Sequence, residues 1–287
     1  MAFIKDGNRL VQEEPHLARR RALLNLFIAE LSEYKGRFLS DICDGIFLIC
    51  EESYWGVSAH ASILRTADLI PDVSSPYIDL FASDTAALIA IIYHVLHQEL
   101  KEFCPPIIER IEYELDRRIV TPYVTHGDFW WMGNICGINN WNPWIISNLL
   151  AVFLVCDLRQ SIFEIGLKKM MNEINVYYRS IPNDGGCDEG SNYWMKAGAK
   201  LFVFCDLLYI ATNGSINFFH DKKIQQIGLY EVRAYIANDY FVNFGDGNRR
   251  IKDNMDYALY GFGKRTNEES LCRLAWTYLK NRTEIAP

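Results

Sequence analysis

The chain has 287 residues, half of them apolar and 14% aromatic, with a formal net charge of −7. That composition supplies a sizeable core for one large domain or two small ones. The acidic balance argues against a nucleic-acid or anionic-membrane partner, since both want a basic face; basic pairs such as Arg117-Arg118 and Arg249-Arg250 leave a polyanionic sugar chain open.

Residues 1–14 are polar and hold no apolar h-region, so no secretory signal is read and a cytoplasmic setting is expected. The first helical pattern runs over 16–34, with Leu17, Leu23, Leu24, Phe27, Ile28 and Leu31 as its apolar positions. A second follows Gly36, over 37–51. Further helices are predicted over 80–102, 105–119, 143–157, 159–180, 193–213, 220–239, 253–261 and 267–281. Pro105-Pro106 and Pro143 stand at helix starts, where a missing N–H costs nothing. Thr266-Asn267-Glu268-Glu269 reads as a cap with acids in the first turn. Tyr240–Phe244 is the one strand candidate. The apolar runs near 85–96 and 145–156 are too short to cross a bilayer and read as buried helices.

Connections alternate in length. Short links at 34–37, 102–105, 157–159 and 213–220 make antiparallel hairpins, while long ones at 52–79, 120–142, 181–192 and 240–252 emerge at one end. The expected fold is therefore all-α, an incomplete or small (α/α) toroid over 1–287, with its long loops ringing one mouth. A solenoid of stacked hairpins is the alternative, but no short repeat supports it.

Eight cysteines are scattered without a CxxC pair, and five lie in apolar helical runs. Buried reduced thiols are the expected state, and no metal or cofactor is implied because ligand spacing is absent. Six of the seven tryptophans fall on or beside three glycine-marked stretches, at 52–60, 130–144 and 184–194. Flat aromatic faces stack on sugar rings, and Asn, His and acids bind hydroxyls and carboxylates. Trp55, Trp130, Trp131, Trp141 and Trp144 are the candidate platforms, with Asn139 and Glu189 as polar contacts. Asn140, just ahead of the helix start at Pro143, is placed to donate its amide to a substrate carboxylate. The plainer reading of Asn139 and Asn140 is helix capping. Tyr193 is four residues after Glu189, one helical turn away, and otherwise reads as an interfacial Tyr. His60 lies in a Trp-bearing loop rather than on an apolar helix face. His126, near Asp128, is a weaker candidate.

The order Trp55…His60, Trp130-Trp131, Asn139-Asn140-Trp141-Asn142-Pro143-Trp144, Gly185-Gly186…Glu189-Gly190-Ser191…Tyr193 resembles the heparinase II/III family of polysaccharide lyases. The likeness extends to Gly7-Asn8-Arg9 and to Asn243-Phe244-Gly245-Asp246. It implies an (α/α) toroid that the family follows with a β-sandwich domain, for which this chain has no matching region. The implied partner is an acidic polysaccharide or oligosaccharide, such as a glycosaminoglycan. The implied reaction is β-elimination of a uronic-acid glycoside. Asn140 would neutralise the carboxylate and stabilise the enolate-like transition state. Tyr193 would protonate the leaving oxygen, and could also take the C5 proton. Trp141 stands where the family commonly has His, and an indole accepts no proton. The base must then be Tyr193, His60 or a residue of a second domain. Two other functions compete: an unsaturated-glucuronyl hydrolase using Asp128, Asp184, Asp188 and Glu189, and a non-catalytic glycan-binding module.

Overall fold

A computed structural model of the chain describes residues 2–61, 72–126, 129–133, 137–250 and 256–283. Asp128, Asn134 and Cys136 lie outside the described residues. The protein is all-α, as its periodicity predicts. Among the described residues, strand structure is limited to Tyr235–Ala237 paired antiparallel with Tyr240–Phe241. The chain divides into two compact units, 1–130 with 148–169 and 131–147 with 170–287.

In the first unit, α1 (Ala2–Asp6) precedes α2 (Leu10–Glu33), which packs on α3 (Leu39–Cys50). The helix at 16–34 forms, but its buried stripe takes in only Leu23 and Phe27 of the predicted apolar face, together with polar residues. His16, Arg20, Leu23, Phe27 and Glu30 face inward, while Leu24, Ile28 and Leu31 are exposed. Polar partners explain the register. Arg20 donates to both oxygens of Glu52, at 2.7 and 2.5 Å, and to Thr85 Oγ1. Glu30 accepts the backbone N–H groups of Gly36 and Phe38, tying the α2–α3 turn.

A single turn, α4 (Ser58–Ala61), follows. The helix predicted over 80–102 is two, α5 (Leu80–Val95) and α6 (His97–Phe103), bent by 81° around the buried Leu96. The bend turns Leu96 and Leu100 wholly into the core. No single described helix is long and apolar enough to cross a membrane. Then α7 (Pro105–Leu115) runs through a π turn, Asp116–Val120, into α8 (Thr121–Thr125). The Thr121 N–H reaches Asp116 O there, and the next residue, Pro122, has no N–H to place. Arg118, 6% exposed, donates to Glu114, Cys50 O and Glu52 O, and lies 4.8 Å over the Trp55 ring.

The unit boundary passes within α9 (Trp141–Val155) and α10 (Gln160–Ser180). In the second unit, the predicted helix over 193–213 separates into α11 (Ser191–Trp194) and α12 (Gly198–Ala211). The Trp194 indole lies against Gly198, where a Cβ would come within 2.5 Å of Nε1. Asp221 caps α13 (Lys222–Ala234) by accepting from Lys223 and Ile224. The helix ends at Ala234, short of the predicted 239, because the chain leaves it into the hairpin, turning at Asn238 with φ 54°. Finally α14 (Asp256–Thr266) and α15 (Glu269–Thr283) form a hairpin that packs on α13. The two helices predicted there form, with α14 running past its expected end at 261. The core of this unit is aromatic: the rings of Phe202, Phe219 and Phe262 meet one another tilted or edge-on, with centroids 4.8–6.3 Å apart.

Candidate functional site

The second unit brings Asn139, Asn140 and Glu189 to one pocket of about 160 Å³. Its floor includes Tyr177, Trp194 and Ile227, and the backbone of Gly185 and Gly186 forms part of the wall. At about 30 Å³ per water, this is room for about five waters. It therefore suits one polar substituent and the edge of a ring rather than a whole oligosaccharide.

The two neighbouring asparagines do different work. Asn139 Oδ1 accepts the Trp141 N–H at 3.0 Å and so serves the start of α9. Asn140, 8% exposed, points its amide away from that helix and donates through Nδ2 to Glu189 Oε2. Capping therefore accounts for Asn139 and not for the Asn140 side chain. The next Asn, Asn142, is fully buried and donates to Trp131 O.

The 184–194 segment holds Glu189 through two glycines. Gly185 has φ +76°, and an added Cβ would lie 2.3 Å from the Gln226 carbonyl carbon. Gly190 has φ +90°, and its Cβ would meet Phe244 O at 2.8 Å. These positions demand glycine twice over, by backbone conformation and by contact with another backbone. The Gly190 contact explains the Asn243-Phe244-Gly245-Asp246 motif structurally: its turn packs on the loop that carries Glu189.

Burial lifts the Glu189 carboxyl above the usual carboxylate range, and the Asp188 and Asp246 charges push the same way. The Asn140 hydrogen bond and Lys196 oppose the rise. Tyr193 is also raised, first by burial, then by Asp246 and Glu189. Its phenol is accordingly a proton donor at neutral pH, not a base. The Lys196 ammonium sits 4.4 Å from the Tyr193 ring centre, and Lys200 sits 5.1 Å from that of Trp144. Cys187, in the pocket wall, is pushed up to about 12 by burial, which keeps it a thiol and not a nucleophile.

The remaining sequence candidates, Tyr193 included, are not among the residues that line this pocket. Trp131 is 0% exposed and cannot offer a face to a sugar. Trp55, in the first unit, is 1% exposed, with its indole N–H on Ile49 O and its face under Arg118. Both expected platforms are core residues, because their ring faces are spent on packing. Trp141 and Trp144 are half-buried in the second unit, and Trp130 is half-buried in the first.

His60 belongs to the first unit. Its ring is 5% exposed, stacks on Phe81 at 5.3 Å, and meets Asp79 Oδ2 through Nδ1 at 2.8 Å. Asp79 also caps α5 through Ala82 N and accepts from Val57 N. The pair thus staples the 57–60 turn to the start of α5, a structural duty that sequence reading assigned to neither residue. Asp79 immediately before a predicted helix was the available signal. Asp246 was visible in a motif, but its electrostatic reach to Glu189 and Tyr193 was not, because sequence does not give the proximity of residues more than fifty positions apart.

Compared with models of known families and with curated proteins, the chain matches none. The functional reading therefore rests on the site itself and on the motifs.

Proposed function

We propose that the protein is a polysaccharide-lyase-like domain that binds uronic-acid glycans and carries out β-elimination, on a scaffold of (α/α) toroid type. The single observation that carries this reading is the Asn140–Glu189 hydrogen bond at the pocket, where burial raises the Glu189 carboxyl above its ordinary range. The Asn140 amide, joined by the Glu189 carboxyl when that group is protonated, is the donor set the pocket offers to a substrate carboxylate. The C5 proton of a uronic acid is a poor acid until that carboxylate is neutralised. Donors aimed at it stabilise the enolate-like charge more in the transition state than in the ground state. Tyr193, a neutral phenol one turn further on, is suited to protonate the departing oxygen. Trp141, half-buried and next in sequence to Asn140, is the aromatic surface this reading would use for a sugar ring.

The C5 proton has no side-chain acceptor among these residues and passes in this reading to solvent water or hydroxide, while Tyr193 returns a proton to the leaving oxygen. Trp141 is no base, His60 is committed to Asp79, and the Tyr193 phenol is raised rather than lowered. Slow elimination by the isolated chain follows from this reading. A hydrolase reading is favoured by one observation, the raised Glu189 between Asp188 and Asp246, which suits a general acid. Calorimetric titration with a uronic-acid tetrasaccharide and its carboxyl-reduced neutral counterpart tests the reading. Tighter binding of the acidic sugar, lost in Asn140→Ala, is expected. Equal affinity for the two sugars would refute carboxylate recognition. A new reducing end without a double bond would select the hydrolase.

A further inference from the structure

The segment that carries Glu189 and Tyr193 rests on α13 along its length. Gly185 lies on the backbone of Gln226 and Ile227, and Arg233 donates to Asp184 O at 2.8 Å. Trp194 Nε1 donates to Ile227 O at 2.8 Å, and Tyr230 reaches Cys187 O at 3.5 Å. Among these contacts stands Glu231, on the same helix and 0% exposed. Neither of its carboxyl oxygens makes a formed hydrogen bond, and neither does Ser191 Oγ, the 1%-exposed first residue of α11. Ser191 is the polar side chain close enough to act on Glu231, and among the described residues no cationic group does so. A carboxyl buried without a cation is stable only as the neutral acid, and a neutral acid is a donor.

We propose that Glu231 is a positioning residue: held as a carboxylic acid, it latches Ser191, and with it the α11 turn bearing Tyr193, onto α13. The consequence for Tyr193 rests on the functional reading above. Burial drives the Glu231 carboxyl well above the usual range against a smaller opposing pull from the Ser191 hydroxyl, and the balance agrees with a retained proton. The titratable groups that feel its charge are Cys187 on the loop and Tyr230 on its own helix, both pushed up to about 12 and neutral at pH 7. From α14 and α15, the side chains meeting α13 at Gly228 are Phe262 and Leu271. Protein chemistry thus leaves Glu231 with Ser191 as its neighbour for hydrogen bonding, a hydroxyl that also acts on Tyr230.

The test uses the full chain and needs no substrate. Urea unfolding of wild type and Glu231→Gln is compared from pH 5 to 7. The folded acid keeps its proton while the unfolded chain releases it above about 4.3. Wild type should therefore lose stability relative to Glu231→Gln as pH rises, about tenfold in the unfolding constant per pH unit. A pH-independent ratio overturns the proposal. Hydrogen exchange of residues 187–194 at pH 6 reads the latch itself. Protection in Glu231→Gln should equal or exceed that of wild type, and exchange should quicken more than about tenfold in Glu231→Ala and Ser191→Ala, the loss expected for a hydrogen bond of about 1.5 kcal/mol. Loss in Glu231→Gln equal to that in the alanine variants overturns it, as does unchanged protection in Ser191→Ala, which carries the test if Glu231→Ala fails to fold. A chain without elimination activity would sink the role of Tyr193 and leave these two readouts standing.

Discussion

Gly185→Ala should destabilise the protein far more than a surface methyl group ordinarily does. The position has φ +76°, which costs an L-residue about 1–2 kcal/mol. The new Cβ would lie 2.3 Å from Gln226 C and 2.4 Å from both Gln226 O and Ile227 N. Carbon contacts settle at about 3.5–4.0 Å, so the loop must retreat from α13 by more than about 1 Å. The obstructing atoms are backbone, and no side-chain rotation relieves the clash. Overpacking of this kind adds about 1–3 kcal/mol, giving a total loss of roughly 2–5 kcal/mol. The retreat also draws Asp184 O away from Arg233. Gly186→Ala is the control, since its Cβ would meet only the Asp184 carboxylate, at 3.2 Å, and its φ lies outside the left-handed range. Urea unfolding at pH 7 measures both variants. Stabilities within about 0.5 kcal/mol of each other, the ordinary range of surface changes, would refute the account of how α13 holds the 184–194 segment.

Arg118→Ala should cost about 2–3 kcal/mol in urea unfolding, less than the roughly 3–5 of a fully abandoned buried charge, because Arg110 and Arg117 still reach Glu114; a change under about 0.5 kcal/mol would contradict that network. Cys50, Cys156, Cys187 and Cys205 are each pushed up to about 12. Against a free thiol near 8.5, their thiolate fraction at pH 8 falls about 10³-fold. Native alkylation followed by mass spectrometry should be slower by that order than alkylation in urea, and equal rates would refute the burial. Uronate affinity should fall as pH rises through the raised Glu189 carboxyl, which starts from an ordinary value near 4.3. The protonated acid donates to the sugar carboxylate and the ionised one repels it. Calorimetry across pH 4–8 should show that slope in wild type and a flat profile in Glu189→Gln; a slope in both would assign it elsewhere.

Helices were legible because apolar spacing and punctuation agree: Gly36 and Pro105 mark boundaries that the fold uses. The inward face of α2 was not legible, because Arg20 and Glu30 are buried only once Glu52, Thr85 and the α2–α3 turn supply their partners. The break at Leu96 carries no Gly or Pro and follows from packing alone. At the site, glycine spacing marked the loop that precedes α11, and Asn140 was separable from Asn139 only by seeing which atom each amide meets. Tryptophan content misled for Trp55 and Trp131, since the same indole serves a sugar platform and a core. Glu231 gave no signal at all: in sequence it is one more acid on an amphipathic helix.

The most direct measurement of the central claim is far-ultraviolet absorbance during prolonged incubation of the whole chain with a uronic-acid polysaccharide. β-Elimination creates a double bond conjugated to the carboxylate, and hydrolysis does not. The account predicts a slow rise for wild type. Tyr193→Phe should fall about 10²–10⁴-fold with glycan affinity nearly unchanged, the usual loss when a general acid is removed. Asn140→Ala should lose both rate and affinity. A rise in Tyr193→Phe equal to that of wild type, or reducing ends appearing with no absorbance change, would contradict it.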